Sequence, residues 1–528
     1  MKTLTSGNAP SLSMPGGRQR RSIASLLLTV LSIAVLLALH VELLTTTINK
    51  SLCCFDDSSF AVVSKNLASG DGYLLTLDYG NVDHSGRLFH PALGTGPSAI
   101  LVGAAAIKVF GAKPWAPGLM LVLFNALVLS FCIAVISRRL GIARASSYIC
   151  LVALASIAVT TQHHEQWFAF FGEVQSLALV LASFVLIAYG NRSRLNLLGA
   201  GLLLGMSFLT KELSALFTLP VALLALAMFL RGPARPWRVR LAESLAPLLL
   251  VAAGTLLPIV LFEAYRFHAM GGLDGWLQNW TQHIDFVKSQ GMDERGLGLS
   301  ALVAERLALF SSRFSIGFIA LSVLALLGIT ATLLTARDRR PKELALLVGS
   351  ASLIMSCYWL LLSLGWARYA FNVIPLAFAC AALPVLSISG RESRHAILPG
   401  GVLALLLALL VQPTYLYARE TWLPAVHPAT PSGLTDAQQQ NRLEAYLRGY
   451  HGTLYIPWWA HGASMEYRLP GHARMAAITA SSDSEGLLLI DTTLPLPEGS
   501  DWAAFYPRCT LKVEFGERYR VEHCTAKP

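Results

Sequence analysis

Residues Ser22 to Leu44 read SIASLLLTVLSIAVLLALHVELL, and a short polar connection leads from them to Phe55-Asp56-Asp57-Ser58-Ser59-Phe60. The first run is about 23 residues, enough for a helix to cross a hydrocarbon core roughly 30 Å thick. Arg18, Arg20 and Arg21 precede it. A secretory signal has a shorter apolar core followed by a small-x-small cleavage site, and His40-Val41-Glu42-Leu43-Leu44 offers none. The run is therefore read as an uncleaved first span. Two adjacent carboxylates placed just beyond a span are costly near lipid, so Asp56 and Asp57 are candidates for function.

Composition extends this reading to the whole chain. It is 54% hydrophobic and only 14% charged, with a mean hydropathy of +0.54, which describes a polytopic membrane protein. The net charge of +10 does not point to nucleic acid, because the basic residues fall in short clusters between apolar runs. Such clusters retain loops in the cytoplasm. They are Arg138, Arg139 and Arg144; Arg192 and Arg194; Arg231, Arg235, Arg238 and Arg240; Arg337, Arg339, Arg340 and Lys342; and Arg391 with Arg394. If all are cytoplasmic, as the N-terminal tail 1–21 should be, an even number of spans separates each cluster from the next.

That parity decides one ambiguous segment. Two apolar stretches, Gly96 to Phe110 and Trp115 to Ile136, lie between the first span and Arg138. Counting both would put every later cluster outside. The first is short, contains Lys108 and follows Pro91 and Pro97, so it is expected to lie in or against the outer interface. About eleven spans remain, at 22–44, 115–136, 145–161, 174–190, 195–210, 213–230, 242–262, 315–335, 343–363, 369–388 and 396–412. Facing outward are then 45–114, 162–173, the connection at Lys211 and Glu212, 263–314, the turn from Gly365 to Arg368, and everything after about 413. The long loops share one face, where sites are expected.

The chain is thus expected to be mainly α, with a transmembrane domain over 22–412, a long outer loop at 45–114 and a small soluble α/β domain over 413–528. In this tail the apolar runs shorten and alternate, as in Thr453-Leu454-Tyr455-Ile456 and Leu487-Leu488-Leu489-Ile490-Asp491. Cys509 and Cys524 would face an oxidising compartment, where a disulfide and two free thiols are both open readings. Cys53 and Cys54 read as interfacial residues, and Cys132, Cys150, Cys357 and Cys380 as small apolar side chains within spans.

No Gly-x-x-x-x-Gly-Lys-Ser/Thr loop, Cys-x-x-Cys pair, His-Glu-x-x-His helix or Gly-x-Ser-x-Gly elbow is present, which disfavours an ATP-driven pump carrying its own motor domain. A secondary transporter or lipid-linked sugar flippase is the rival class. It would keep ionisable groups near mid-span and show an internal hydropathy repeat, whereas these charges collect at span ends and no repeat is evident.

The pattern Asp56-Asp57-x-x-Phe60, continuing through Ala61 to Leu67-Ala68-Ser69-Gly70-Asp71-Gly72-Tyr73, resembles the GT-C glycosyltransferases of the protein O-mannosyltransferase and aminoarabinose transferase type. His90-Pro91-Ala92-Leu93-Gly94-Thr95-Gly96-Pro97 is similar to the end of that family's first outer loop, and Gly205 to Lys211 to its threonine-lysine junction. Trp366-Ala367-Arg368-Tyr369 followed by Pro375 looks like its late arginine-tyrosine element, and Glu173 falls where relatives carry a second acid.

The resemblance implies a GT-C fold and a sugar donor linked to polyprenyl phosphate, used at the outer face of the cell inner membrane. The acceptor would be a hydroxyl of a glycolipid such as lipid A, a surface polysaccharide or a protein, and membrane lipids would be further partners. A polysaccharide polymerase or ligase is the alternative within the same class. A hydroxyl needs a carboxylate to take its proton as it attacks the anomeric carbon, and Asp56 is assigned that role. Attack opposite the leaving group inverts the centre. The departing lipid phosphate needs cations, for which Arg368 and Lys211 are the candidates, with His90 and Arg87 near the donor.

Glu173, Glu165, His164 and Tyr369 are candidates for contact with sugar or acceptor. Asp57 would bind a divalent cation, Mg or Mn, jointly with Asp56, or else support Asp56; a solvated or capping residue is the plain alternative. Glu173 equally suits a helix N-terminus, and Lys211 a snorkelling span end. His163-His164-Glu165 are adjacent rather than one turn apart, so a metal would need ligands from elsewhere. Trp458 and Trp459 suit packing better than sugar stacking.

Overall fold

The structure is a computed structural model that describes residues 23–50, 52, 55–75, 87–91, 93–94, 96–230, 236–289, 298–363, 366–388, 397–426, 433–457, 461, 467, 474–478 and 482–527. Cys53, Cys54, Arg231, Arg235, Arg391, Arg394, Trp458, Trp459 and the side chain of Arg87 lie outside the described residues.

The first half of the chain contributes α1 (Ile23–Asn49), α2 (Phe55–Ser69), β1 (Leu74–Leu75), β2 (Arg87–Leu88), α3 (Pro97–Phe110), α4 (Ala116–Leu140), α5 (Ile142–Val159), α6 (Glu173–Tyr189), α7 (Arg194–Phe208), α8 (Thr218–Leu230) and α9 (Trp237–Ala269). There follow α10 (Leu273–Ser289), α11 (Leu299–Arg313), α12 (Phe318–Thr335), α13 (Arg339–Leu361), α14 (Ile374–Ala382), α15 (Pro384–Ser387), α16 (Ile397–Tyr417) and α17 (Leu423–Val426). The tail holds α18 (Asp436–Leu447), β3 (Thr453–Ile456), β4 (Arg474–Ala477), β5 (Gly486–Asp491), α19 (Ser500–Phe505), β6 (Cys509–Phe515) and β7 (Tyr519–Cys524).

Among the described residues nine helices are long and apolar enough to cross a membrane; α6 and α7, at 17 and 15 residues, are apolar but shorter. These eleven segments are the ones hydropathy selects. Several run further than expected, among them α1, which continues to Asn49, α9, which reaches Ala269 across Pro247 and Pro258, and α16, which passes into a π turn at Ala418–Trp422. Flanking polar residues are adequate helix formers, so hydropathy marks where apolar character stops and not where the helix does. The short segment α3 carries Pro97 in its first turn and packs on α2 and α4.

Helices α7 and α9 cross closely, where glycines replace side chains. A Cβ at Gly201 would lie 2.1 Å from the Val251 carbonyl oxygen, and one at Gly254 2.3 Å from that of Leu198. Small residues let membrane helices approach closely where apolar burial gives no advantage over lipid.

The expected loop 263–314 is instead largely helical. In α10 the residues Trp276, Trp280 and His283 recur at helical spacing, which places them on one face. That face packs on the first loop: Asn279 Nδ2 donates to the Phe89 carbonyl at 3.0 Å, and His283 Nδ1 meets the Pro91 carbonyl at 2.9 Å.

The tail is a five-stranded mixed sheet in the order β4-β3-β5-β7-β6, with β3 parallel to β4 and β5, and β7 antiparallel to β5 and β6. Thr435 and Gln438 form a capping box at α18. Partly buried Arg518 ties that helix to the sheet, reaching Asp436 at 3.1 Å and Asp491 at 3.0 Å. Cys509 and Cys524 face each other across β6 and β7 and are joined by a disulfide. The tail also touches the rest of the chain through Tyr467, whose hydroxyl donates to the Lys113 carbonyl and whose own carbonyl accepts from Lys65.

Candidate active site

One helical turn of α2 sets the geometry. Asp56 and Phe60 are four residues apart and share a face, while Asp57 is rotated by about 100°. Asp56 Oδ2 accepts a hydrogen bond from Arg368 Nη1. Phe60 lies under the Lys211 ammonium, 5.9 Å from the ring centre. Asp57 turns the other way, is buried, and accepts the Phe170 N–H at 2.7 Å, fixing the segment that leads into α6.

Arg368 arrives from a 3-10 turn, Ala367–Asn372. With three residues per turn, positions i and i+3 eclipse, and the rings of Trp366 and Tyr369 accordingly stack with planes 5° apart. The guanidinium sits 4.5 Å from the Trp366 ring centre and 5.3 Å from that of Tyr369. This stacking holds the planar group without using up its donors. Its side chain is 25% exposed and that of Asp56 28%, so both are within reach of a substrate.

A second ion pair lies alongside. Glu173, in the first turn of α6 after the left-handed Gly172, is 2% exposed, and its Oε1 meets Lys211 Nζ at 3.2 Å. The Lys211 ammonium is turned onto Glu173 and Phe60, and its side chain is 18% exposed. Glu173 Oε2 and Arg368 Nε are buried with no hydrogen-bond partner among the described residues. Buried polar atoms left unpaired are costly, and in a native site they mark where another molecule's atoms belong.

Other sequence candidates are placed elsewhere. His164 is buried, its Nε2 2.9 Å from Oε1 of Glu42, whose other oxygen accepts from Tyr417. Its ring is thus committed to a junction of α1, the 3-10 segment Thr161–Trp167 and α16. Glu165 lies 3.7 Å from His163. His90 is buried and lines a cleft with Tyr73, Glu212, Arg266, Trp280 and His283. Arg87 pairs by its backbone with Leu75. Among the described residues no three His, Cys, Asp or Glu side chains converge as a metal set, and one Asp57 oxygen is already taken by Phe170.

Several residues to which sequence reading gave no role are also held in polar contacts. Arg266 is buried, donates to Asn279, lies 3.5 Å from Glu263, and stacks 4.5 Å from the Trp280 ring centre. His283 Nε2 meets Glu212 at 3.0 Å, and this hydrogen bond raises the imidazole's pKa above its usual value. Helical spacing of Trp276, Trp280 and His283 was the available signal. Glu42, fully buried, was signalled by an acid inside the first apolar run.

No protein-family model matches the chain, and no curated protein sequence matches it. Solved structures do. ArnT from Cupriavidus metallidurans in the apo state superposes with a TM-score of 0.54 at 14% identity, covering 96% of this chain and 100% of that one. The same protein bound to undecaprenyl phosphate gives 0.53 at 12% identity, over 94% and 99%. The oligosaccharyltransferase of Archaeoglobus fulgidus is more distant, with a TM-score of 0.48 at 16% identity over 85% of this chain and 62% of that one. The fold is that of ArnT along nearly its whole length, in line with the fold that the resemblance of the first loop implied.

Proposed function

We propose that this chain is a membrane glycosyltransferase that moves one sugar from a polyprenyl-phosphate-linked donor to a hydroxyl acceptor at the outer face of the cell inner membrane. The observation that carries the reading is the pairing of Asp56 with Arg368, beside Glu173 and Lys211, at one end of a bundle that shares its fold with a protein crystallised with undecaprenyl phosphate. The arginine clusters at the other end of the helices support the assignment of this end to the outside.

The proposed step balances simply. The acceptor oxygen attacks the anomeric carbon and gives its proton to Asp56, while the bond from that carbon to the phosphate oxygen breaks and the polyprenyl phosphate leaves as an anion. A phosphate oxygen arriving at Arg368 competes with Asp56 for the guanidinium. One event thereby binds the leaving group and frees the base. Lys211 adds positive charge beside the phosphate, Glu173 holds Lys211 in place and offers Oε2 to a sugar hydroxyl or amine, and Tyr369 walls the site. Asp57 acts by positioning, through Phe170. The cleft of Tyr73, His90 and Trp280 suits a sugar or acceptor ring. No step needs His164, Glu165 or a divalent cation.

Mass analysis of envelope glycolipids, polysaccharides and proteins from cells with and without the chain tests this reading. A chain-dependent increment of one sugar on an acceptor is expected. A sugar lipid accumulating on one side of the bilayer, with no acceptor altered, would instead identify a flippase.

A further inference from the structure

The helices that carry the candidate site have their other ends at a second, unrelated feature. α6 runs from Glu173 down to Tyr189 and Arg192, and α13 rises from Arg339 toward the turn that bears Arg368. At the lower end an open groove of about 920 Å³ is bounded by α8, α9, α12 and α13. Its rim carries Arg192, Arg240, Arg337, Arg339 and Lys342, and its acids are Glu243 and Glu343. Five cations against two carboxylates leave a surplus of three positive charges.

The pairs already made do not use up that surplus. Glu343 is 6% exposed and is engaged by Arg192 at 2.5 Å and by Arg339 at 2.6 Å. Arg240 lies over the Phe229 ring, 5.3 Å from its centre, and its Nε is buried with no partner among the described residues. Above the rim the groove is apolar, with Met228 on α8, Ile329 and Leu333 on α12, and Leu346 and Leu353 on α13. From Arg339 to Leu353 is about 21 Å along the helix, more than one leaflet's share of a core roughly 30 Å thick. Leu333 and Leu353 are exposed, so this wall faces outward from the bundle.

We propose that this groove binds an anionic glycerophospholipid, its phosphate held by Arg240 and Lys342 and an acyl chain laid along α12 and α13. The charge excess selects an anionic headgroup, and the apolar wall of acyl length selects a lipid over a free anion. Basic pockets between membrane helices on the positively charged side recognise such headgroups. The bound lipid would brace α8 and α9 against α12 and α13, whose upper ends lead into the Lys211 and Arg368 turns. The inference stands on the lower groove alone and does not depend on the glycosyl-transfer reading.

The test is lipid binding by the full chain purified in detergent, measured by native mass spectrometry with phosphatidylglycerol, phosphatidylethanolamine, polyprenyl phosphate and inorganic phosphate as separate probes. Phosphatidylglycerol should bind in preference to phosphatidylethanolamine, and R240Q with K342Q should weaken it about thirtyfold. R138Q with R139Q, which removes two cations from another part of the same face, should leave it within about twofold. If the double variant fails to fold, R240Q and K342Q made singly carry the test, each weakening binding about fivefold. Equal binding of phosphatidylethanolamine, equal loss in the Arg138 and Arg139 variant, or phosphatidylglycerol binding unchanged by R240Q and K342Q would overturn the assignment. So would variant-dependent binding of inorganic phosphate, or of polyprenyl phosphate in place of phosphatidylglycerol.

Discussion

Asp56 and Asp57 are chemically identical neighbours that the first turn of α2 sends in different directions. One meets a half-exposed arginine and the other a buried backbone N–H. Their substitutions should separate accordingly. Asp57→Asn keeps an oxygen for the Phe170 N–H and should fold normally. Asp57→Ala leaves that donor unpaired and should cost about 1–3 kcal/mol, read as a lower midpoint of thermal unfolding. Arg368→Ala should reduce transfer about 10²–10³-fold, and Arg368→Lys should recover little of it, because an ammonium cannot reproduce the planar guanidinium's contact with the Trp366 and Tyr369 rings. Glu173 and Lys211 should behave as a unit. In a cycle of Glu173→Gln and Lys211→Met the double variant should be more stable than the sum of the singles predicts, by about 0.5–3 kcal/mol, because each single change strands a poorly solvated charge.

Elements divide into those that hydropathy exposes and those it hides. The spans were legible because about 20 apolar residues in lipid have almost no alternative to a helix. The acidic pair was legible because charge beside a span is rare. α10 was not, because its amphipathic sequence has the overall polarity of a loop and only the spacing of Trp276, Trp280 and His283 reveals it. The partners of Arg368 and Lys211 were not legible either, since contacts between residues 38 and 312 positions apart depend on how the helices pack.

Two predictions belong to this scale. Gly201→Leu or Gly254→Val should force α7 and α9 apart at a cost of about 1–3 kcal/mol, seen as loss of the folded fraction in detergent. The His283–Glu212 contact should make the docking of α10 depend on pH. The folded-state pKa of His283 lies above its ordinary value, so its contribution is fully present below about pH 6.5 and is lost as pH rises through the folded pKa. Amide exchange in α10 should therefore speed up on the alkaline side in the wild type, and His283→Gln should remove that dependence. Glu212 is 55% exposed, so the effect should be small and weakened by salt.

At the scale of the whole molecule, the bundle separates two kinds of chemistry. One end carries paired acids and cations on short turns between helices, and the other a ring of cations around an apolar groove. The disulfide-closed tail reaches the first end through Tyr467 at Lys65 and Lys113. The central claim is that Asp56 takes the acceptor's proton as the lipid phosphate departs. It is tested most directly by following release of polyprenyl phosphate from a polyprenyl-phosphate-linked sugar by the purified chain, once an acceptor is in hand, comparing wild type with Asp56→Asn. The variant should bind the donor with similar affinity and release polyprenyl phosphate about 10²–10⁴-fold more slowly. Release at the wild-type rate by a folded Asp56→Asn chain would contradict the account.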